Sequence, residues 1–247
     1  MWTSNLRLLI ASVSLLYAAW CDVKVREVPD KVWIVSIPLC LALSVANVIN
    51  GEISPVALAI SLAVGFPLGA SLCYLGLYGG ADMKALWLIS AAYPSYPRSV
   101  SIPAFMLFPA PVLLVFFLAT LFSSLTPLSV LVVNLIDRFR GLDLLEGVEE
   151  PSRFRRALSY AVARKVKLES LRGSLKYFPA ERVVVEDGVA KRRLQLFVHA
   201  EANIEELLNH LEEHKDLFED GVLASPTVPM LVFLAAGYVA ASLILLI

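Results

Sequence analysis

Cysteine is scarce in this chain. Cys21, Cys40 and Cys73 are the three in 247 residues, and no two form a Cys-x-x-Cys pair. An odd, dispersed set excludes a disulfide framework and a thiolate zinc site, so each reads as a small buried side chain. Charge is scarce too, at 17% of residues against 58% hydrophobic, with a mean hydropathy of +0.71. That balance excludes an ordinary soluble domain and calls for a polytopic membrane protein in contact with lipid. The formal net charge of −1 supplies no basic field for nucleic acid, and none is expected as a partner. Internal repeats and low-complexity tracts are missing as well.

The charge that is present is segregated. Of the 21 Lys and Arg residues 15 lie within 137–221, as do 17 of the 22 Asp and Glu residues. The expected organisation is a membrane domain over 1–136, a charged domain over 137–221 and a final helix within 222–247. Apolar runs place six spans at about 6–21, 32–49, 55–77, 83–93, 102–136 and 228–247. The fold class is therefore an all-α polytopic membrane protein of six transmembrane helices, with a small α+β cytosolic insert before the last helix.

Details of the runs refine this picture. Arg7 ahead of the first run gives it the look of a secretory signal, but Tyr17 stands where cleavage after Ala19 needs a small residue, so the span is retained. Asp30, after Pro29, is the expected N-cap of span two. Trp20 and Trp33 flank the first loop at the depth of an aromatic belt. Gly65, Gly69, Ala70 and Gly76 allow close helix contact in span three. The fifth run is longer than a bilayer needs, and Thr126-Pro127 should break it, leaving an extension in the interface. In the charged domain, 152–171 and 203–218 read as helices. Segments 182–186 and 191–198 read as strands joined around Asp187-Gly188, a hairpin signal.

Orientation follows from counting. The first loop, the turn at Asp82 and the charged domain are separated by even numbers of spans, so they share one side. Lys24, Arg26, Lys31, Lys84, Arg138 and Arg140 lie at span ends on that side, against Arg7 and Arg98 on the other. The excess assigns the shared side to the cytoplasm.

The chain is organised around Tyr78-Gly79-Gly80-Ala81-Asp82-Met83-Lys84, between two apolar runs. A carboxylate so placed is by default functional, although a plain N-cap is the bland reading. Gly79 and Gly80 let the chain turn tightly and let a substrate approach. Asp22 ends span one on the same side, 60 residues earlier. Two carboxylates sharing a proton can act as base and acid on one water, which is what peptide hydrolysis requires. Glu27 and Asp30 are candidates for attracting a basic peptide, against capping and solvated-loop roles. Lys84 is a candidate for holding Asp82 ionised, against a snorkelling role.

Asp22, Pro29-Asp30 opening a span, and Gly79-Gly80-Ala81-Asp82 together resemble the prepilin and preflagellin peptidases, whose second aspartate closes a Gly-x-Gly-Asp-type motif at span four. Ala81 at the third motif position is similar to the looser form of the archaeal branch, as are the missing zinc-ribbon cysteines and the charged insert. The resemblance implies an aspartic endopeptidase with catalytic Asp22 and Asp82 and no cofactor or metal. It implies as partners archaellin or pilin precursors, whose short basic leader is cut before a hydrophobic helix at the cytoplasmic face. Nothing resembles the N-methylating activity of some bacterial members.

Three rivals remain. His210-Leu211-Glu212-Glu213-His214 matches His-x-x-Glu-His, a zinc-protease pattern, with His199 as a distant third ligand; a solvated helix face is the alternative. A presenilin or signal-peptide-peptidase type would also use two aspartates, but Cys21 precedes Asp22 where that type has tyrosine, and Pro109-Ala110-Pro111 is a partial echo of its Pro-Ala-Leu segment. A transporter using Asp22 and Asp82 as ion sites lacks polar residues elsewhere in the spans.

Overall fold

A computed structural model of the chain describes residues 2–96, 108–149, 151–172, 176–186, 189–196 and 204–244. Arg98, the start of the fifth run, the Asp187-Gly188 turn and His199 lie outside these residues. In chain order the helices are α1 (Trp2–Val25), α2 (Asp30–Ile49), α3 (Pro55–Tyr74), α4 (Gly80–Ala92), α5 (Pro111–Ser123), α6 (Leu125–Phe139), α7 (Arg153–Val162), α8 (Ile204–Glu213) and α9 (Met230–Ile244). The strands are β1 (Arg164–Val166), β2 (Tyr177–Pro179), β3 (Glu181–Glu186), β4 (Val189–Leu194) and β5 (Val222–Pro226). They form two compact units: Met1–Ser123 with Pro229–Ile247, and Ser124–Val228.

In the first unit α4 is the hub. Ala85, Leu86, Leu88, Ile89, Ser90, Ala91 and Ala92 are all fully buried, so from Ala85 onward only Trp87 keeps partial exposure, as expected where a helix is apolar all round. It packs on α3, α2, α1, α5 and α9, while α5 pairs with α9 and α1 with α2. Close approach depends on missing side chains: a Cβ on Gly65 would lie 1.7 Å from Ser90 Oγ, and one on Gly237 2.7 Å from the Val115 carbonyl.

Among the described residues four segments are long and apolar enough to cross a membrane: Asn5–Val25, Asp30–Ile49, Pro55–Tyr74 and Pro111–Phe139. The protein is thus mostly helical and multi-pass, but α4, expected as a span, is short. It has 13 residues, reaching about 20 Å of the roughly 30 Å hydrocarbon core; the described part of α9 has 15. The C-terminal end of α4 is completely buried, so its carbonyls need internal donors. Ser61 Oγ donates to the Ser90 carbonyl at 3.0 Å and Ser44 Oγ to the Ala91 carbonyl at 2.6 Å. Arg7 Nη1 in turn donates to Ser44 Oγ at 3.0 Å, and Arg7 is itself buried.

The helix boundaries correct several expectations. The fifth run is interrupted at Ser124 rather than at Pro127, because a proline is tolerated in the first turn of the helix that follows. Asp30 is the first residue of α2 and Pro29 its cap. Trp20 is exposed, as a belt residue should be, but Trp33 is buried in the bundle.

The second unit is α+β. β5 is central in the sheet order β1-β5-β2, antiparallel to both neighbours. Alternation along it sends Leu223 into one core with Leu144, Leu145 and Tyr160, and Val222 and Ala224 into another with Leu211 and Phe218. β3 and β4 form the expected hairpin, in register from Glu181 opposite Leu194 to Glu186 opposite Val189. The expected helix over 152–171 stops at Val162, and Arg164–Val166 becomes β1 because β5 supplies its hydrogen bonds. Asn134 Nδ2 ties α6 to α7 through the Tyr160 and Ala163 carbonyls, at 2.8 and 2.6 Å. Inside, Arg192 forms a two-pronged pair with Glu181 at 2.9 and 3.0 Å, and both side chains are almost completely buried.

Candidate active site

Asp22 sits one turn before the end of α1, which continues to Val25 instead of stopping at Cys21. The helix ends where Arg26 takes a left-handed backbone, φ 58°, a conformation unusual for a side-chain-bearing residue. This bend leaves the Arg26 guanidinium 3.5 Å from Asp22 Oδ1. The other oxygen, Oδ2, accepts a hydrogen bond from the backbone N–H of Leu231 at 3.4 Å. Leu231 is the second residue of α9, so a free N–H of that helix's first turn is directed at the carboxylate.

Asp82 is the third residue of α4, and its Oδ2 accepts the Gly79 N–H at 3.0 Å. The bland reading of Asp82 as the N-cap is thus corrected: Gly79 is the cap, and Asp82, at N3, reaches back to its N–H. The tight turn falls earlier than expected, at Gly76 with φ +68°, where the Leu77 and Tyr78 N–H groups both donate to the Leu72 carbonyl. Gly79 is extended, and a Cβ there would meet only Asp82 Oδ2, at 3.4 Å; at Gly80 it would meet nothing within 4 Å. What these two glycines provide is therefore bare, exposed backbone rather than a bend. The Tyr78 ring, 6.0 Å from that of Phe116, seats the segment on α5.

Because α1 packs on α4, the two aspartates line one cleft of about 510 Å³, together with Arg26, Glu27, Asp30, Gly79, Gly80 and Leu231. Of the residues singled out from sequence, Asp22, Asp82, Gly79, Gly80, Glu27 and Asp30 come together here. Lys84 does not join them as a partner of Asp82: its Nζ donates to Asp30 Oδ1. Two contributors were not anticipated. Arg26 reads from sequence only as a span-end charge, and Leu231 acts through its backbone N–H, for which Pro229 as a helix-start signal is the sole hint in the sequence. The lining contains carboxylates but no imidazole or thiolate.

The fold and cleft define a class: a multi-pass membrane protein in which carboxylates from two helices, α1 and the buried α4, line one open cleft. A sequence model of the type IV leader peptidase family matches residues 9–132, half of the chain and the half that carries both aspartates. The chain belongs to the type IV leader peptidase family, and its class of activity is proteolysis. No curated protein matches it.

Proposed function

We propose that this protein is an aspartic endopeptidase that removes short basic leaders from archaellin or type IV pilin-like precursors, with Asp22 and Asp82 as its catalytic pair facing the cytoplasm. The observation that carries the reading is the shared cleft of the two carboxylates within the family match. One carboxylate accepts a proton from water as the water oxygen attacks the scissile carbonyl; the other, protonated, gives its proton to the carbonyl oxygen. Collapse of the tetrahedral intermediate then breaks the C–N bond, and the amine leaves with a proton from the dyad. Such a coupled pair titrates as a unit.

The surroundings suit these roles. Arg26 and the Leu231 N–H hold Asp22, and the Gly79 N–H holds Asp82. The exposed Gly79-Gly80 backbone is open to an extended substrate. Glu27 and Asp30 on the same cleft complement a basic leader, with Lys84 partly neutralising Asp30. The excess of span-end basic residues supports a cytoplasmic face.

Reconstitution of the purified protein in liposomes with a leader-bearing precursor tests this. Mass spectrometry should find one cut ahead of the hydrophobic segment, slowed when leader lysines are changed to glutamate. Cuts within the hydrophobic segment would instead favour the presenilin-type reading, and no cleavage with ion flux would favour a transporter.

A further inference from the structure

We propose that His210, Glu213 and His214 bind one zinc-class divalent ion in the second unit. The inference is independent of the peptidase reading and concerns groups that the aspartate chemistry does not use.

His210 and His214 lie one helical turn apart at the end of α8, a spacing that puts two side chains on one face. Their rings are 5.1 Å apart between centroids and inclined at 69°. One ligand atom from each of His210, Glu213 and His214 can be chosen so that all lie within 4.8 Å of one another. Donors about 2.0–2.1 Å from a tetrahedral zinc sit roughly 3.3 Å apart, so small side-chain rotations at this helix end bring the three onto one ion.

The hydrogen bonds favour ligation. The Nδ1 of His214 lies 3.1 Å from the His210 carbonyl, which can only accept, so Nδ1 carries the proton and Nε2 presents its lone pair. A metal-ligating imidazole is held in this way, its second nitrogen donating to a carbonyl or carboxylate. His210 Nδ1 and Glu213 Oε2 lie 3.3 Å apart, the spacing of two donors that share one ion. The adjacent Glu212 is engaged by Arg172 at 3.1 Å, while the Glu213 side chain is 70% exposed. Two imidazoles with one carboxylate suit zinc and disfavour calcium or magnesium, which take oxygen ligands. Three protein ligands leave a fourth position for water.

The location gives the ion a structural task. α8 ends at Glu213, and His214 caps the 3-10 turn Lys215–Phe218. That turn carries buried Phe218 and the Leu217 carbonyl, which accepts from Arg192 Nη1 at 3.0 Å. An ion joining His210 to His214 clamps the helix to the turn that closes over the buried arginine.

Equilibrium dialysis of the purified full-length protein against zinc chloride should find one bound equivalent, and zinc should raise the melting temperature. H210A and H214A should each weaken binding by more than the roughly 10–100-fold that loss of an outer-shell partner costs, and should abolish the thermal shift. Both should melt close to metal-free wild type, since both rings are only half-buried and their hydrogen bonds stay within the helix end, and this separates lost ligation from lost folding. A D22N/D82N variant should bind zinc as wild type does, whatever becomes of its proteolysis. Absence of bound zinc in wild type, unchanged affinity in both histidine variants, or loss of zinc in D22N/D82N would each overturn the proposal.

Discussion

Lys84 joins α4 to α2 by donating to Asp30 Oδ1 at 2.5 Å, turning away from Asp82, two residues before it. The pair is exposed, 29% at the lysine and 70% at the aspartate, and pairs of that kind are worth about 0–1 kcal/mol. K84M should therefore lower the melting temperature only slightly, by an amount that shrinks with added salt. Cleavage by K84M should stay within about tenfold of wild type, the equivalent of 1.4 kcal/mol. Thermal scans in detergent and kcat/KM on a precursor check both statements.

Arg26 combines a left-handed backbone with a guanidinium beside Asp22. Glycine at this position relieves the backbone and alanine does not, while both remove the charge. R26G should be more stable than R26A by about 1 kcal/mol. The two variants should lose activity equally, because the lost contact to the carboxylate is the same. Chemical denaturation and kcat/KM on the two proteins distinguish the effects.

At Gly65 α3 lies too close to Ser90 of α4 to admit a Cβ. G65A should overpack the bundle and cost about 1–3 kcal/mol. The nearest clash is with Ser90 Oγ, but the Ser90 Cβ would still lie 2.8 Å away. S90A should therefore restore part of the stability of G65A but not all of it. A double-mutant cycle on melting temperature reads the coupling.

In the second unit Glu181 and Arg192 satisfy each other almost out of contact with solvent. Glu181 Oε1 also accepts the Leu223 N–H at 2.6 Å, and Arg192 reaches the Leu217 and Gly221 carbonyls. Removing one partner leaves a buried charge uncompensated, so E181Q or R192M should cost about 3–5 kcal/mol. Hydrogen exchange should rise across β3, β4 and β5 in either variant, while α4 stays protected.

Much of this architecture was legible from residues alone. The long apolar runs marked the spans, and two isolated carboxylates between them marked the cleft, because charge next to membrane-type sequence is costly and so rarely incidental. The length of α4 was less legible: apolar composition does not say where a helix stops, and α4 stops at Ala92 with its last carbonyls bonded to the Ser44 and Ser61 hydroxyls. The turn was misplaced from Gly76 to Gly79 because glycine type does not reveal which residue takes positive φ. Arg26 and Leu231 were missed for a common reason. Their parts are set by a backbone angle and a backbone N–H, neither of which is written in side-chain chemistry. The three-residue strands β1 and β2 are too short for periodicity and exist through pairing with β5.

The central claim is that Asp22 and Asp82 work as one unit on one water. Its most direct test is kcat/KM for D22N, D82N and the double variant on a leader-bearing precursor in membranes. Each single replacement should lower kcat/KM by about 10²–10⁴-fold, and the double variant should fall little further, since groups acting together are not additive. Full cleavage by either single variant, or losses that multiply in the double, would contradict the account.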